Sequence, residues 1–295
     1  MNPTISIIGA SGFIGNSLYN YLNTQLRHSF NIIGTYHTHK TNKDFIYIDA
    51  TSKDSVQEHL KKYNPKYILL MTGSKDIKKC EEDIEYATTK NVKPVEHLIE
   101  LIKKNNKDSC IIFFSSDYVF SGERGLYRDN EPLNPTLVYG KTKKKSEELL
   151  VSSNIDYIII RTAAVMGYGA SFFNWLIKGL LTEEKIELFN EIYFTPTPLQ
   201  LINEVILQTI GNKNIINSII HLVGEKYLTR YEFGKIVAQR LPNSRATILP
   251  HQAPPHFPRK LTLVQSDFVK EHQTTFFENY LTNEIKYAQN NFQLF

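Results

Sequence analysis

Cysteine is nearly absent: Cys80 and Cys110 are the only two in 295 residues. Two thiols cannot build a disulfide framework or a cysteine-rich metal site, and so low a count points to a reducing compartment. Long apolar runs are missing as well. No uninterrupted stretch approaches the roughly 20 residues that span a bilayer, and the start, MNPTISIIGASG, lacks the charged stretch and long apolar run of a secretory signal. Strong net charge is also lacking. The formal charge is +4, and the densest basic run, KTKKKSEE (141–148), passes straight into acids as a solvated helix face does. Nucleic acid is therefore not an expected partner, nor is a membrane. The nine histidines are scattered; HTH at 37–39 and HQAPPH at 251–256 have no carboxylate or thiol at ligand spacing, so no metal site is expected. These absences describe a cytoplasmic protein.

What remains is a chain that is 41% hydrophobic and long enough for one large α/β domain with a smaller lobe. Its first half alternates short β-branched runs (TISIIG, NIIGTY, FIYI, YILLM, CIIFFS, YIIIR) with amphipathic stretches at 13–26, 53–63, 83–105 and 138–151. Strands too apolar to own a wet face, separated by helices, predict a doubly wound parallel sheet. After Arg161 the rhythm loosens. SFFNWLIKGLL and PLQLINEVILQTI have helical spacing, IIHLVG reads as a strand, and TRYE at 229–232 is a capping box opening a helix to about Leu241. Residues 1–161 are read as a nucleotide-binding domain completed by strands from later segments, and 162–295 mainly as a substrate-binding lobe.

The first strand runs into GASGFIG, with Gly9, Gly12 and Gly15. Glycines there allow a tight turn, let Ser11, Phe13, Ile14 and their neighbours bring backbone N–H groups to a pyrophosphate, and let the helix pack on the strand. A strand, this loop and a helix predict a Rossmann-type dinucleotide site. The second strand ends in GTYHTHK, without the acid that would bind a ribose 2′-hydroxyl. His37, His39 and Lys40 could face a 2′-phosphate instead, which favours NADP(H) and leaves NAD(H) open. Asp49, followed by Ala50, ends the third strand, either beside an adenine or as the cap of the next helix.

YGKTK places Tyr139 and Lys143 one turn apart on one helix face. A phenol beside an ammonium is expected to have a lowered pKa and to serve as a proton donor to a carbonyl. Upstream, SSDYVFSG (115–122) closes an apolar strand with two hydroxyls and a carboxylate. Serine hydroxyl, phenol and ammonium thus converge on one crevice beyond the strand ends.

These motifs resemble the extended short-chain dehydrogenase/reductases and, within them, the dTDP-4-dehydrorhamnose reductases. SSDYVF is similar to the group's Ser-Thr-Asp-Tyr-Val-Phe motif, with Ser116 in the threonine's place; EPLNPTLVYGKTK, IIIRTAAVMG and YFTPTP resemble its later segments. The resemblance implies that Ser116 hydrogen-bonds the substrate carbonyl, Tyr139 gives the proton, and Lys143 positions phenol and cofactor ribose. It implies that Asp117 fixes the turn or a sugar hydroxyl, that Tyr118 lines the sugar pocket or the core, and that Asn91 belongs to the cofactor side. Asp117 sets the chain apart from relatives that place a cysteine there, and the Asp-Tyr pair from dehydratases with Asp-Glu. Three departures bear on the substrate: Ala164 replaces a sugar-contacting tryptophan, MTGS (71–74) replaces Asn-Ala-Ala, and Phe257-Pro258 with Arg259 two positions on replaces Arg-Pro. The expected function is NADPH-dependent reduction of a nucleotide-linked 4-keto-6-deoxyhexose, with homodimerisation compatible with the group. The alternative is a non-catalytic NADP-binding subunit resembling the methionine adenosyltransferase β subunit.

Overall fold

The computed structural model describes residues 2–105, 108–255 and 257–291. The chain forms two compact units, one of Met1–Phe120, Pro132–Arg161 and Ile206–Ile220, the other of Ser121–Glu131, Thr162–Val205 and His221–Phe295.

The first unit contains β1 (Thr4–Ile8), α1 (Phe13–Leu26), β2 (Asn31–Tyr36), β3 (Ile46–Tyr47), α2 (Lys53–Tyr63), β4 (Tyr67–Leu70), α3 (Ile77–Glu82), α4 (Ile84–Asn91), α5 (Lys93–Lys104), β5 (Cys110–Ser116), α6 (Val138–Val151) and β6 (Tyr157–Thr162). Its sheet has seven strands in the order Ser218–His221, β6, β5, β4, β1, β2, β3. β1 pairs in parallel with both β2 and β4, and β4 with β5. Every residue of β1, β4 and β5 is buried, because helices cover both faces and leave no strand position facing water. The sheet is the doubly wound one expected from the alternating runs. α5 buries Val95, Leu98, Leu101 and Ile102 as one stripe against Ile68, Leu70, Ile111 and Phe113.

The single helix expected over 83–105 is two. Asp83 caps α4 by accepting from Tyr86 N–H at 2.8 Å, and α4 gives way to α5 at Val92. Pro94 is the cause. A proline has no N–H and its ring clashes with the carbonyl four residues back, but it is tolerated in a first turn, which is where α5 places it.

In the second unit the strand Lys185–Phe189 pairs in parallel with Thr247–His251, and Tyr193–Phe194 lies between Leu228–Thr229 and Lys260–Leu261. Thr229 and Glu232 form the expected capping box, with Thr229 Oγ1 accepting from Glu232 N–H at 3.0 Å and Glu232 accepting from Thr229 N–H at 2.7 Å. The segment 121–131 also packs here: Tyr127 N–H donates to Thr262 O and its carbonyl accepts from Val264 N–H. Among the described residues no helix is long and apolar enough to cross a membrane.

Candidate active site

The sheet order reverses between β1 and β4, and in open α/β sheets that reversal opens a crevice at the strand ends. A cleft of about 400 Å³ lies there, within the range of small-molecule sites. One wall is Ile8, Gly9, Ser11 and Gly12 after β1; the other is Met71, Thr72, Gly73 and Ser74 after β4. Gly9 has φ +98°, and a Cβ on Gly15 would stand 2.3 Å from Gly9 O, so side chains at either position would open the turn. Gly9 N–H donates to Thr35 Oγ1 and Ser11 N–H to Thr35 O, which anchors the turn to β2. Phe13, Ile14 and Gly15 make the first turn of α1. That turn carries no acid, leaving its positive end open to an anion.

His37, His39, Asp49 and Ala50 line the same cleft, whereas Lys40 is placed over the Tyr36 ring, 5.5 Å from its centroid. The cation that lines the cleft is Lys90 of α4, with Tyr86 beside it. Sequence reasoning missed both because nothing local marks them; only the fold brings α4 to the end of β4. Asp49 accepts from Thr51 N–H at 2.9 Å and Thr51 Oγ1 at 2.7 Å, and lies 3.8 Å from His37 Nε2. Burial alone would raise its pKa; the Thr51 hydrogen bonds and the charges of His37 and Lys90 carry it below the ordinary value. Asp49 does not cap α2. That role falls to Ser52, whose side chain accepts from Ser55 N–H. Asn91 is buried outside the cleft wall, its amide held by Ser74 and Thr142.

At the end of β5 the two serines part company. Ser115 donates to Glu147, which also forms a bidentate pair with Arg161; both charged residues are 2% exposed. A desolvated pair of this kind stands only when its remaining hydrogen-bonding capacity is met, and Ser115 meets part of it. Ser116 instead donates to Asp117 Oδ1 at 2.7 Å and accepts from Tyr118 N–H at 3.3 Å, and its hydroxyl lies near enough to the Tyr139 phenol to act on its pKa. Tyr118 and Tyr139 meet edge to face, 5.7 Å between centroids. The close approach depends on Gly140, where a Cβ would fall 2.0 Å from Tyr118 O.

The expected electrostatics of Tyr139 are corrected. Its pKa is raised, first by desolvation and then by Asp117, with the Ser116 hydrogen bond acting the other way. The Lys143 ammonium is engaged elsewhere, donating to Phe114 O at 2.9 Å and lying 4.8 Å from the Phe113 ring centroid. Burial pushes Lys143 down to about 8, against the opposing charge of Glu147.

Ala164 and Arg259 belong to the second unit. Ala164 O accepts from Thr197 N–H at 3.0 Å; Arg259 pairs with Glu191 and donates to Ala253 O at 3.1 Å. Among the described residues no group of three histidine, cysteine, aspartate or glutamate side chains could hold a metal, and His256 lies outside them.

Sheet order and glycine turn define a Rossmann-type doubly wound fold. A family model described as the RmlD substrate binding domain matches residues 3–268, and the chain belongs to that family. The dTDP-4-dehydrorhamnose reductase of Aggregatibacter actinomycetemcomitans is 29% identical over 234 residues, 77% of this chain and 75% of that one. The methionine adenosyltransferase 2 subunit beta of Xenopus tropicalis is 24% identical over 256 residues, 81% of this chain and 72% of that one. The crystal structure of a Bacillus anthracis dTDP-4-dehydrorhamnose reductase in complex with NADP superposes with a TM-score of 0.82 at 20% identity, covering 97% of this chain and all 100% of that one.

Proposed function

We propose that this protein is an NADPH-dependent reductase of a nucleotide-linked 4-keto-6-deoxyhexose. The observation that carries the reading is the convergence of Ser116, Tyr118 and Tyr139 at the end of β5, where the two tyrosine rings meet edge to face and Gly140 lets α6 come close. A phenol is protonated at neutral pH and can give that proton to a ketone oxygen as negative charge develops there. The names of the reductases similar to the chain supply the substrate class.

The residues at the β1–β4 crevice fit a dinucleotide. A side chain at Gly15 would strike the Gly9–Ala10 backbone and one at Gly9 would crowd the Met71–Thr72 backbone, and the first turn of α1 carries no competing acid. When bound there, NADPH supplies the hydride. The chain's own residues do the rest. Ser116 turns its proton from Asp117 toward the ketone oxygen, and Tyr139 transfers its proton to that oxygen as negative charge develops. Lys143, mostly protonated near neutral pH, braces the end of β5 through Phe114 O. His37 and Lys90 oppose the charge of Asp49 and, with His39 beside them, leave the cleft hospitable to a 2′-phosphate. We place the enzyme in the cytoplasm, as a homodimer in deoxysugar synthesis for polysaccharide.

The test is NADPH oxidation by the purified protein with dTDP- and UDP-linked 4-keto-6-deoxyhexoses offered separately. Oxidation that depends on one of them supports the reading. Tight NADPH binding without oxidation on either would instead favour a regulatory subunit like the methionine adenosyltransferase β chain, in which the Ser116–Tyr139 pair would have no chemical use.

A further inference from the structure

One buried side chain joins the cleft wall to the first turn of α6. Asn91, 2% exposed at the end of α4, accepts through Oδ1 from Ser74 N–H at 2.8 Å and donates through Nδ2 to Thr142 Oγ1 at 3.1 Å. Thr142, 6% exposed, donates its own hydroxyl proton to Tyr139 O at 2.7 Å. The relay is tight at both ends. A Cβ on Gly73 would lie 2.6 Å from Asn91 Oδ1, so the loop rests directly on the amide. Asn91 O and Thr142 O share the Ser146 hydroxyl, at 2.9 and 3.0 Å, which holds α4 and α6 together on the far side.

We propose that Thr142 is a positioning residue through which a ligand seated in the cleft orients Tyr139. The ligand is the adenosine half of a dinucleotide, so the inference rests on the reductase reading given above. The physical route has three steps. A ligand packed against Thr72, Gly73 and Ser74 fixes the Ser74 N–H. A carboxamide is planar, so fixing its oxygen fixes its nitrogen, and with it the hydrogen bond to Thr142. A hydroxyl has a single proton, and Thr142 commits that proton to Tyr139 O, in the first turn of the helix whose phenol meets Ser116. The coupling thus runs through a contiguous chain of hydrogen bonds whose central pair, Asn91 and Thr142, is buried.

The experiment labels tyrosine with carbon-13 at the phenol carbon and assigns Tyr139 by the signal lost in Tyr139→Phe. Adenosine 2′,5′-bisphosphate is the probe, because it has no nicotinamide to touch Tyr139 directly. Saturating the wild type and Thr142→Ser with the probe should shift the Tyr139 signal, whereas Thr142→Val should bind the probe and leave that signal where it was. An equal shift in Thr142→Val would show that the hydroxyl carries nothing, and would overturn the proposal. So would a wild type that binds the probe with no shift, a result that stands even if Thr142→Val does not fold. Failure of the wild type to bind the probe, read by calorimetry, would remove the cofactor reading and the relay together, and is distinct from binding without a shift.

Discussion

Tyr139 shows how much one residue's chemistry depends on neighbours far along the chain. Its place one turn before Lys143 was legible in YGKTK, and its meeting with Ser116 followed from a strand ending in hydroxyls. The sign of its pKa shift was not legible. It depends on Lys143 reaching Phe114 O and on how deeply the phenol is desolvated, which sequence spacing does not encode. Ser115 was hidden for the same reason, since its partner Glu147 comes from α6 and the arginine that pairs with Glu147, Arg161, from β6. Replacing Tyr139 by phenylalanine should lower turnover by about 10²–10⁴, the usual contribution of a positioned acid, while NADPH affinity measured by fluorescence titration stays near the wild-type value. Equal turnover in the two proteins would take the acid role from Tyr139.

A second residue-scale prediction concerns His59, which is buried on α2 with Nε2 2.7 Å from Ser6 Oγ and no hydrogen bond at Nδ1. Desolvation, followed by the charge of Lys62, lowers its pKa from 6.5 to about 4. Between those values the unfolded chain binds a proton that the folded chain does not. Stability from this source is therefore complete above pH 6.5 and lost as pH falls through about 4, by up to roughly 3 kcal/mol. His59→Gln should flatten that part of the acid limb in urea unfolding. Parallel limbs for the two proteins would contradict the assignment.

At the scale of elements, α6 is the part on which the site turns. Gly140 lets its first turn sit against the Asp117–Val119 turn, and the helix then spends Thr142, Lys143 and Glu147 on three separate buried contacts. Gly140→Ala must move α6 away from Tyr118 O or distort the turn. It should destabilise the protein by about 1–3 kcal/mol, as overpacking does, and also abolish most turnover with cofactor binding retained. Loss of cofactor binding alone, with turnover at saturation unchanged, would show that the approach does not serve the chemistry. The helices themselves were largely readable: α1, α2 and α6 have the bounds that their apolar spacing predicts. The break between α4 and α5 was not, because Pro94 lies inside a continuous apolar pattern and only its position in a turn decides between a kink and a new start.

For the whole molecule, alternation of strand and helix made the doubly wound sheet legible, since fully buried strands can be satisfied in few other ways. The path of the chain between its two units was less so. Residues 121–131 pack in the second unit and 206–220 in the first, and both placements rest on long-range pairings such as Tyr127 with Thr262 and Asn217 with Tyr157. Local pattern carries no record of such partners. The substrate is the least legible feature of all, because Ala164 and Arg259 differ from what the resemblance implies.

In the proposed reaction Tyr139 and Ser116 serve direct hydride transfer to a sugar ketone. The most direct measurement supplies NADPH carrying deuterium at the nicotinamide C4 together with a dTDP-linked 4-keto-6-deoxyhexose, and locates the label in the product by mass spectrometry and NMR. Direct transfer places one deuterium at C4 of the sugar with wild-type protein and almost none with Tyr139→Phe. A reduced sugar without deuterium, or no reduction by a protein that binds both compounds, would contradict it.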